Sequence, residues 1–247
     1  MHRRARHLNA RHAGAGLVLD ARRLTGLNDG DAVSTWADVS GNGWDATGTS
    51  TQRPLYKTAI QGGQPVLRFD GSNDFMSISS SGALSYSKNK AAMRIVGVIK
   101  GTPLGGTATV FYFSINGISN TRAGLFSART ADGVFSGSRR LDADAGAFAG
   151  SAGSASSFCV ASTKHSFSAG FGYAYKNVSS SASIALSGSS NTSNTDSAAV
   201  ALGGTSSGAN VFTGDIGIIL AFDSALTDPL SLRLHHSAAF SFKIQCS

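Results

Sequence analysis

Residues 166–176 read Ser-Phe-Ser-Ala-Gly-Phe-Gly-Tyr-Ala-Tyr-Lys. In an extended chain Phe167, Ala169, Phe171, Tyr173 and Tyr175 fall on one side, and Ser166, Ser168, Gly170 and Gly172 fall on the other. A period of two marks a β-strand, whose successive side chains point to opposite faces. Glycine and serine are poor helix interiors, so a helix does not compete for this segment. The alternation leaves open which face is buried.

Working outward, the segments 93–100, 107–115, 122–128, 157–164, 183–187, 198–203 and 210–222 also read as strands. Turn signals separate them at the 8–12 residue spacing of a sandwich or barrel. Upstream, Pro65–Asp70 and Phe75–Ser79 flank Gly71-Ser72-Asn73-Asp74 as a hairpin, and Gly16–Asp20 reads as a first strand. The tracts 143–157 and 179–197 are Gly/Ser/Ala/Asn-rich and fit either loops or flat-packing strands. One helix is expected: Thr227-Asp228-Pro229 supplies an N-cap and a first-turn proline, and Leu230, Leu232, Leu234 and Ala238 form its apolar stripe. Phe240–Ile244 then leaves as an extended piece.

Composition agrees. Of 247 residues, 41% are hydrophobic, 14% are charged and thirty are glycine, which describes short segments and many turns around a sizeable core. The longest apolar stretch, 216–222, is far below the ~20 residues of a membrane helix, so no membrane partner is expected. All fourteen acidic residues are aspartate. Any mechanism that requires a glutamate acid, base or ligand is therefore closed.

The net charge of +7 is uneven: Arg3, Arg4, Arg6 and Arg11 stand in residues 1–12 with no acid beside them. We read 1–13 as a basic arm and 14–247 as a single domain. Such an arm seeks an anionic surface, and contact with nucleic acid through it would be non-specific and weakened steeply by salt. The apolar stretch Ala13–Leu19 is at the bare minimum length for a signal peptide and is ended by Asp20, so individual secretion is not expected. Cys159 and Cys246 lie far apart in no ligand pattern, and read as reduced small hydrophobes.

Trp36 reads as a core anchor. Trp44, in a Gly/Asn turn, reads as exposed, either as a ring on which a sugar could stack or as a rim contact to a neighbouring subunit. The turn Asp70-Gly71-Ser72-Asn73-Asp74 is explained by Asx chemistry, with calcium as the rival reading because Asp70, Asn73 and Asp74 offer hard oxygens. Asp29, Asp31, Asp38 and Asp45 make a second acidic group, and Asp142 and Asp144 a third, none with EF-hand spacing. No other cofactor is expected. There is no Gly-x-Ser-x-Gly elbow, phosphate loop or dinucleotide fingerprint. His235-His236 has no i+4 histidine for zinc, and His165 reads as a turn residue. These absences point to a non-enzyme.

The runs Leu19-Asp20-Ala21, Leu27-Asn28-Asp29-Gly30-Asp31, Val33-Ser34-Thr35-Trp36-Ala37-Asp38, Ser40-Gly41-Asn42-Gly43 and Asp45-Ala46 resemble the opening of laminin-G-like, concanavalin A-type domains. Arg53-Pro54, Arg68-Phe69-Asp70-Gly71 and Asn73-Asp74-Phe75 continue the resemblance. Gly214-Asp215-Ile216-Gly217 through Phe222-Asp223, then Ala225-Leu226-Thr227-Asp228, resemble the family's last strand and C-terminal helix. Val18 departs, since relatives often carry tryptophan there. The resemblance implies an all-β, two-sheet antiparallel jelly-roll sandwich with one short C-terminal helix. It includes laminarinase-type hydrolases, whose paired glutamates this chain lacks.

Such domains occur in phage structural proteins and bacterial surface proteins, which sets two expectations. The first is a non-catalytic virion component (capsid decoration, head fibre or tail) that docks by the arm beside other virion proteins as a homo-oligomer or symmetric array. The alternative is a carbohydrate-binding module or adhesin that meets cell-surface polysaccharide.

Overall fold

The computed structural model describes residues 14–102, 106–115, 117–128, 133–148, 150, 153–181 and 183–245. The basic arm lies outside them, as does Cys246. The first strands in chain order are β1 (Leu17–Asp20), β2 (Thr35–Trp36), β3 (Ala46–Thr47), β4 (Leu55–Gln61), β5 (Gln64–Asp70) and β6 (Met76–Ser77). Next come β7 (Ala92–Gly101), β8 (Thr107–Ser114), β9 (Thr121–Ala128), β10 (Val134–Ser138), β11 (Ala147–Phe148) and β12 (Cys159–Ser166). The last are β13 (Phe171–Lys176), β14 (Ser179–Ser180), β15 (Ile184–Ala185), β16 (Ala199–Leu202) and β17 (Thr213–Phe222).

They form two antiparallel sheets. One runs β14-β13-β12-β7-β17-β5-β4, with β1 also on β17 and β15 also on β13; the other runs β11-β10-β9-β8-β16-β6-β3-β2. The expected two-sheet sandwich is what forms. Between the sheets lie Trp36, Leu67, Phe69, Ile95, Phe111, Phe113 and Ile219, each at most 1% exposed. Burying each such side chain contributes about 1.5–3 kcal/mol.

A second core lies on the outer face of the first sheet. Val96 and Val98 of β7, and Ile218, Leu220 and Phe222 of β17, point away from the sandwich and are covered by α2 (Asp228–Ser241). This is why β7 and β17 are apolar on both faces. In β17 the alternation shifts at Gly217, so Ile216 and Ile219 both face inward. A Cβ at Gly217 would lie 2.6 Å from the Phe242 ring, which presses onto the sheet there.

The helix buries Ser231, Leu234, His235, Ala238, Ala239 and Phe242, a stripe at three- and four-residue spacing. This corrects the expected stripe, because Leu232 is on the far side and 46% exposed. It also corrects the expected extended exit, since the helix runs on through Ser241 and leaves Phe240 66% exposed. Thr227 occupies the N-cap position without a side-chain capping bond. A five-residue helix, α1 (Ser81–Ser85), has no counterpart in the sequence reading.

Candidate functional site

The stretch that set the fold divides in two: β12 ends at Ser166, a turn spans 167–170, and β13 begins at Phe171. Ala174 of β13 faces the inter-sheet core. A Cβ on Gly172 would stand 3.0 Å from Ser138 Oγ on the opposing sheet. Small side chains are needed on the inner side, where the two sheets approach closely, so the large ones turn outward. Phe171 is 41% exposed, and Tyr173 and Tyr175 are half-buried.

These three rings form a ladder along one strand, with Tyr173 and Tyr175 centroids 6.3 Å apart. The cross-strand neighbours of Phe171 and Tyr175 are small on both flanks. Phe171 sits between Ser166 and Ala185, and Tyr175 between Ser162 and Ser180. The flanks of Phe171 are thereby left open, while the Tyr175 ring is covered by Arg94. Opposite Tyr173 stands Lys164, which is in no ion pair among the described residues, and next to it Arg94 on β7. No aspartate lies on β12, β13, β14 or β15. The surface thus combines an aromatic ladder with the positive charge of half-buried Lys164, Arg94 being only 2% exposed.

One end of the ladder is fixed by a buried hydrogen-bonded chain. The Arg94 guanidinium lies over the Tyr175 ring at 4.6 Å, and its Nη2 donates to Ser162 Oγ at 3.1 Å. Ser162 Oγ is 2.8 Å from His235 Nε2, and His235 Nδ1 is bonded to the Asn177 carbonyl. A carbonyl only accepts, so Nδ1 carries the proton, Nε2 accepts, and Ser162 donates to it. Burial lowers the pKa of His235 to about 4, and the Arg94 and His236 charges act in the same direction. The ring is therefore neutral at pH 7. A serine bonded to a neutral histidine has the parts of a nucleophile and base. Here Ser162 is fully buried and His235, on the inner face of α2, is 2% exposed, so the pair braces the helix and the ladder.

His165 is corrected from a turn residue to the inner face of β12, fully buried between the sheets. Its Nδ1 meets Ser138 Oγ at 2.5 Å, its Nε2 meets Thr163 Oγ1 at 2.8 Å, and burial lowers its pKa to about 3.

Trp44 is corrected from exposed to half-buried. It packs against the main core, its ring centroid 5.0 Å from that of Tyr86 and edge-on to it. A Cβ on Gly82 would come 2.8 Å from its Nε1, so α1 lies against the indole. Trp36 is fully buried, as expected.

The candidate calcium oxygens face backbone amides. Asp70 Oδ1 accepts the N–H groups of Ser72, Asn73 and Asp74, and Asp74 Oδ2 accepts that of Asp70. Burial raises the Asp74 pKa to about 6 against the pull of that amide. Asp38 gathers the N–H groups of Val18, Ser40 and Trp44. Asp45 accepts from the Asp38 N–H, and Asp29 is paired with Lys57. Asp142 meets buried Arg122 at 2.9 Å. Among the described residues no three His, Cys or Asp side chains group as metal ligands. Arg3, Arg4, Arg6 and Arg11 lie outside the described residues.

Comparison with known proteins finds no matching family model and no curated protein that matches in sequence. Solved structures do match. The Botulinum neurotoxin serotype D binding domain superposes with a TM-score of 0.64 at 10% identity, over 93% of this chain and 53% of that one. Trypanosoma rangeli sialidase in complex with sialic acid gives 0.58 at 16%, over 93% of this chain. The Ruminococcus gnavus IT-sialidase CBM40 bound to alpha2,3 sialyllactose gives 0.53 at 17%, over 71% of this chain and 97% of that one. This chain spans about a third of the sialidase chain. At these identities the likeness is one of fold. The β-sandwich is shared with binding domains and with a sialidase alike.

Proposed function

We propose that this chain is a non-catalytic, lectin-like carbohydrate-binding module whose ligand lies along Phe171, Tyr173 and Tyr175. The ladder is the observation that carries the reading: exposed Phe171 and half-buried Tyr173, on a strand whose Tyr175 is held under Arg94, accept the apolar C–H face of a pyranose without reorganising. Lys164 then offers a donor to hydroxyl or acidic groups at the ladder's flank. The fold's occurrence in a CBM40 bound to sialyllactose supports the same reading, the alternative of the two expectations set out above. The non-catalytic part is supported by the acids, which accept backbone amides or pair with cations, and by the burial of the Ser162–His235 pair.

The test is a glycan array of neutral and acidic sugars, followed by calorimetry with the best binder. Phe171→Ala and Tyr173→Ala are expected to weaken binding roughly 10-fold or more each, with the far-ultraviolet dichroism unchanged. Unaltered affinity in both variants, or no glycan bound at millimolar concentration, refutes the reading. The same module mounted on a virion would dock by the arm, which its four arginines without an acid support. Deleting residues 1–13 should then abolish co-purification with particles, and full retention would refute that mounting.

A further inference from the structure

A cleft of about 600 Å³ opens at the C-terminal end of α2, away from the ladder residues. One wall is Gln64 at the start of β5, another is Arg22 in the 3-10 turn after β1, and the third is the helix end from Phe240 to Gln245. Its size lies within the roughly 300–1,000 Å³ of small-ligand sites.

The walls are held in place. Gln61 Nε2 donates to the Phe242 carbonyl at 3.0 Å. Gly62, at φ +61°, comes so close to that carbonyl that a Cβ would stand 2.6 Å from its oxygen. Phe242 itself is fully buried, and the Arg22 guanidinium lies 5.4 Å from its ring centroid. The cleft is therefore preformed.

Its lining has a consistent chemistry. Phe240 presents an aromatic ring that is 66% exposed. Arg22 grips Asp20 with Nε and Nη2 at 2.8 and 2.7 Å, leaving Nη1 with no partner among the described residues. Lys243 is exposed and in no ion pair among them. Gln64 and Gln245 each carry both a donor and an acceptor. No acidic side chain lines the cleft. A ring for stacking, the Lys243 cation, the remaining Nη1 donor of an Arg22 whose charge is shared with Asp20, and two amides are complementary to a pyranose that bears an anionic group.

We infer that this cleft is a second binding site, for an acidic sugar, with Phe240 under the ring, Arg22 and Lys243 on the anion and the glutamines on hydroxyls. It shares no residue with the ladder, so the two readings fail separately. The experiment titrates the ¹⁵N-labelled full chain with methyl β-D-glucuronide, with methyl β-D-glucoside and with sodium acetate at equal ionic strength. The glucuronide alone should give saturable amide shifts at Gln64 and Ser241–Gln245. Phe240→Ala and Lys243→Ala, both surface changes, should weaken it about tenfold each, while Tyr173→Ala leaves the titration unchanged. Acetate or the glucoside matching the glucuronide, undiminished binding by Phe240→Ala, or no saturable shift would each overturn the inference.

Discussion

Acidification should destabilise this protein through His235, by an amount that follows from where the ring sits. In the unfolded chain the imidazole takes a proton near its ordinary pKa of 6.5, whereas in the fold it does so only near 4. Between those values the unfolded state binds more protons, so stability rises with pH. The contribution is complete above about pH 6.5 and is lost as pH falls toward 4. At pH 4.5 the loss amounts to about 2.5 kcal/mol, relative to pH 7. The physical cause is the chain from Arg94 through Ser162 to Nε2. A proton on Nε2 sets a donor against the Ser162 hydroxyl and a second positive charge near a buried guanidinium.

The assay is urea unfolding of the full chain and of His235→Gln at pH 7, 6, 5 and 4.5, followed by dichroism. The variant should be weaker at pH 7, by about 1–3 kcal/mol, because Ser162 and Asn177 lose their partner. The two stability curves should nonetheless converge as pH falls. His165, depressed for the same reason, and Asp74, raised and so of opposite sign, are present in both proteins and cancel in the difference. Parallel curves would refute the argument, as would an imidazole ¹⁵N spectrum showing Nδ1 without its proton at pH 7.

Three further outcomes are expected. Gly214→Ala should lower the melting temperature sharply, by the equivalent of more than about 2 kcal/mol, because φ is +143° and the new Cβ would lie 2.0 Å from the Lys100 carbonyl oxygen; an unchanged melting temperature would contradict the close pairing of β17 with β7. Trp36→Ala should cost about 3–5 kcal/mol as a cavity in the main core, read by thermal melting, and a loss below about 1 kcal/mol would contradict that packing. A chelator should leave the melting curve in place, since one oxygen each of Asp70 and Asp74 is held by backbone amides and no third ligand joins them among the described residues; a shift of several degrees would restore the calcium reading.

The binding surface owes its form to a division of labour between neighbouring residues. Ladder rings are useful to a ligand only if they are exposed and still ordered. Gly172 and Ala174 let the sheets close beneath them, while Arg94 lies over the Tyr175 ring and holds it. Removing Arg94 should therefore loosen the ladder as well as the helix above it.

Alternation in 171–176, the Asx turn at 70–74 and the proline at the helix start are local signals that could be read without a partner strand in view, although the 70–74 turn carries the chain from β5 to β6 of the other sheet and does not close the expected hairpin. They determined an all-β sandwich with a terminal helix, because period-two patterning and turn chemistry are properties of the chain itself. The two faces of β13 could not be assigned that way. Facing inward or outward depends on what the opposing sheet leaves room for, and that room is set by Ser136 and Ser138, over thirty residues away. Trp44 was misjudged for the same reason, since the Tyr86 and Gly82 that cover it come from a segment forty residues downstream. The pairing of Ser162 with His235 and the meeting of Arg22, Gln64 and Phe240 at one cleft join residues from distant parts of the chain. Sequence carries no signal for such a meeting, because only the stacking of sheet on sheet and helix on sheet brings those side chains within reach.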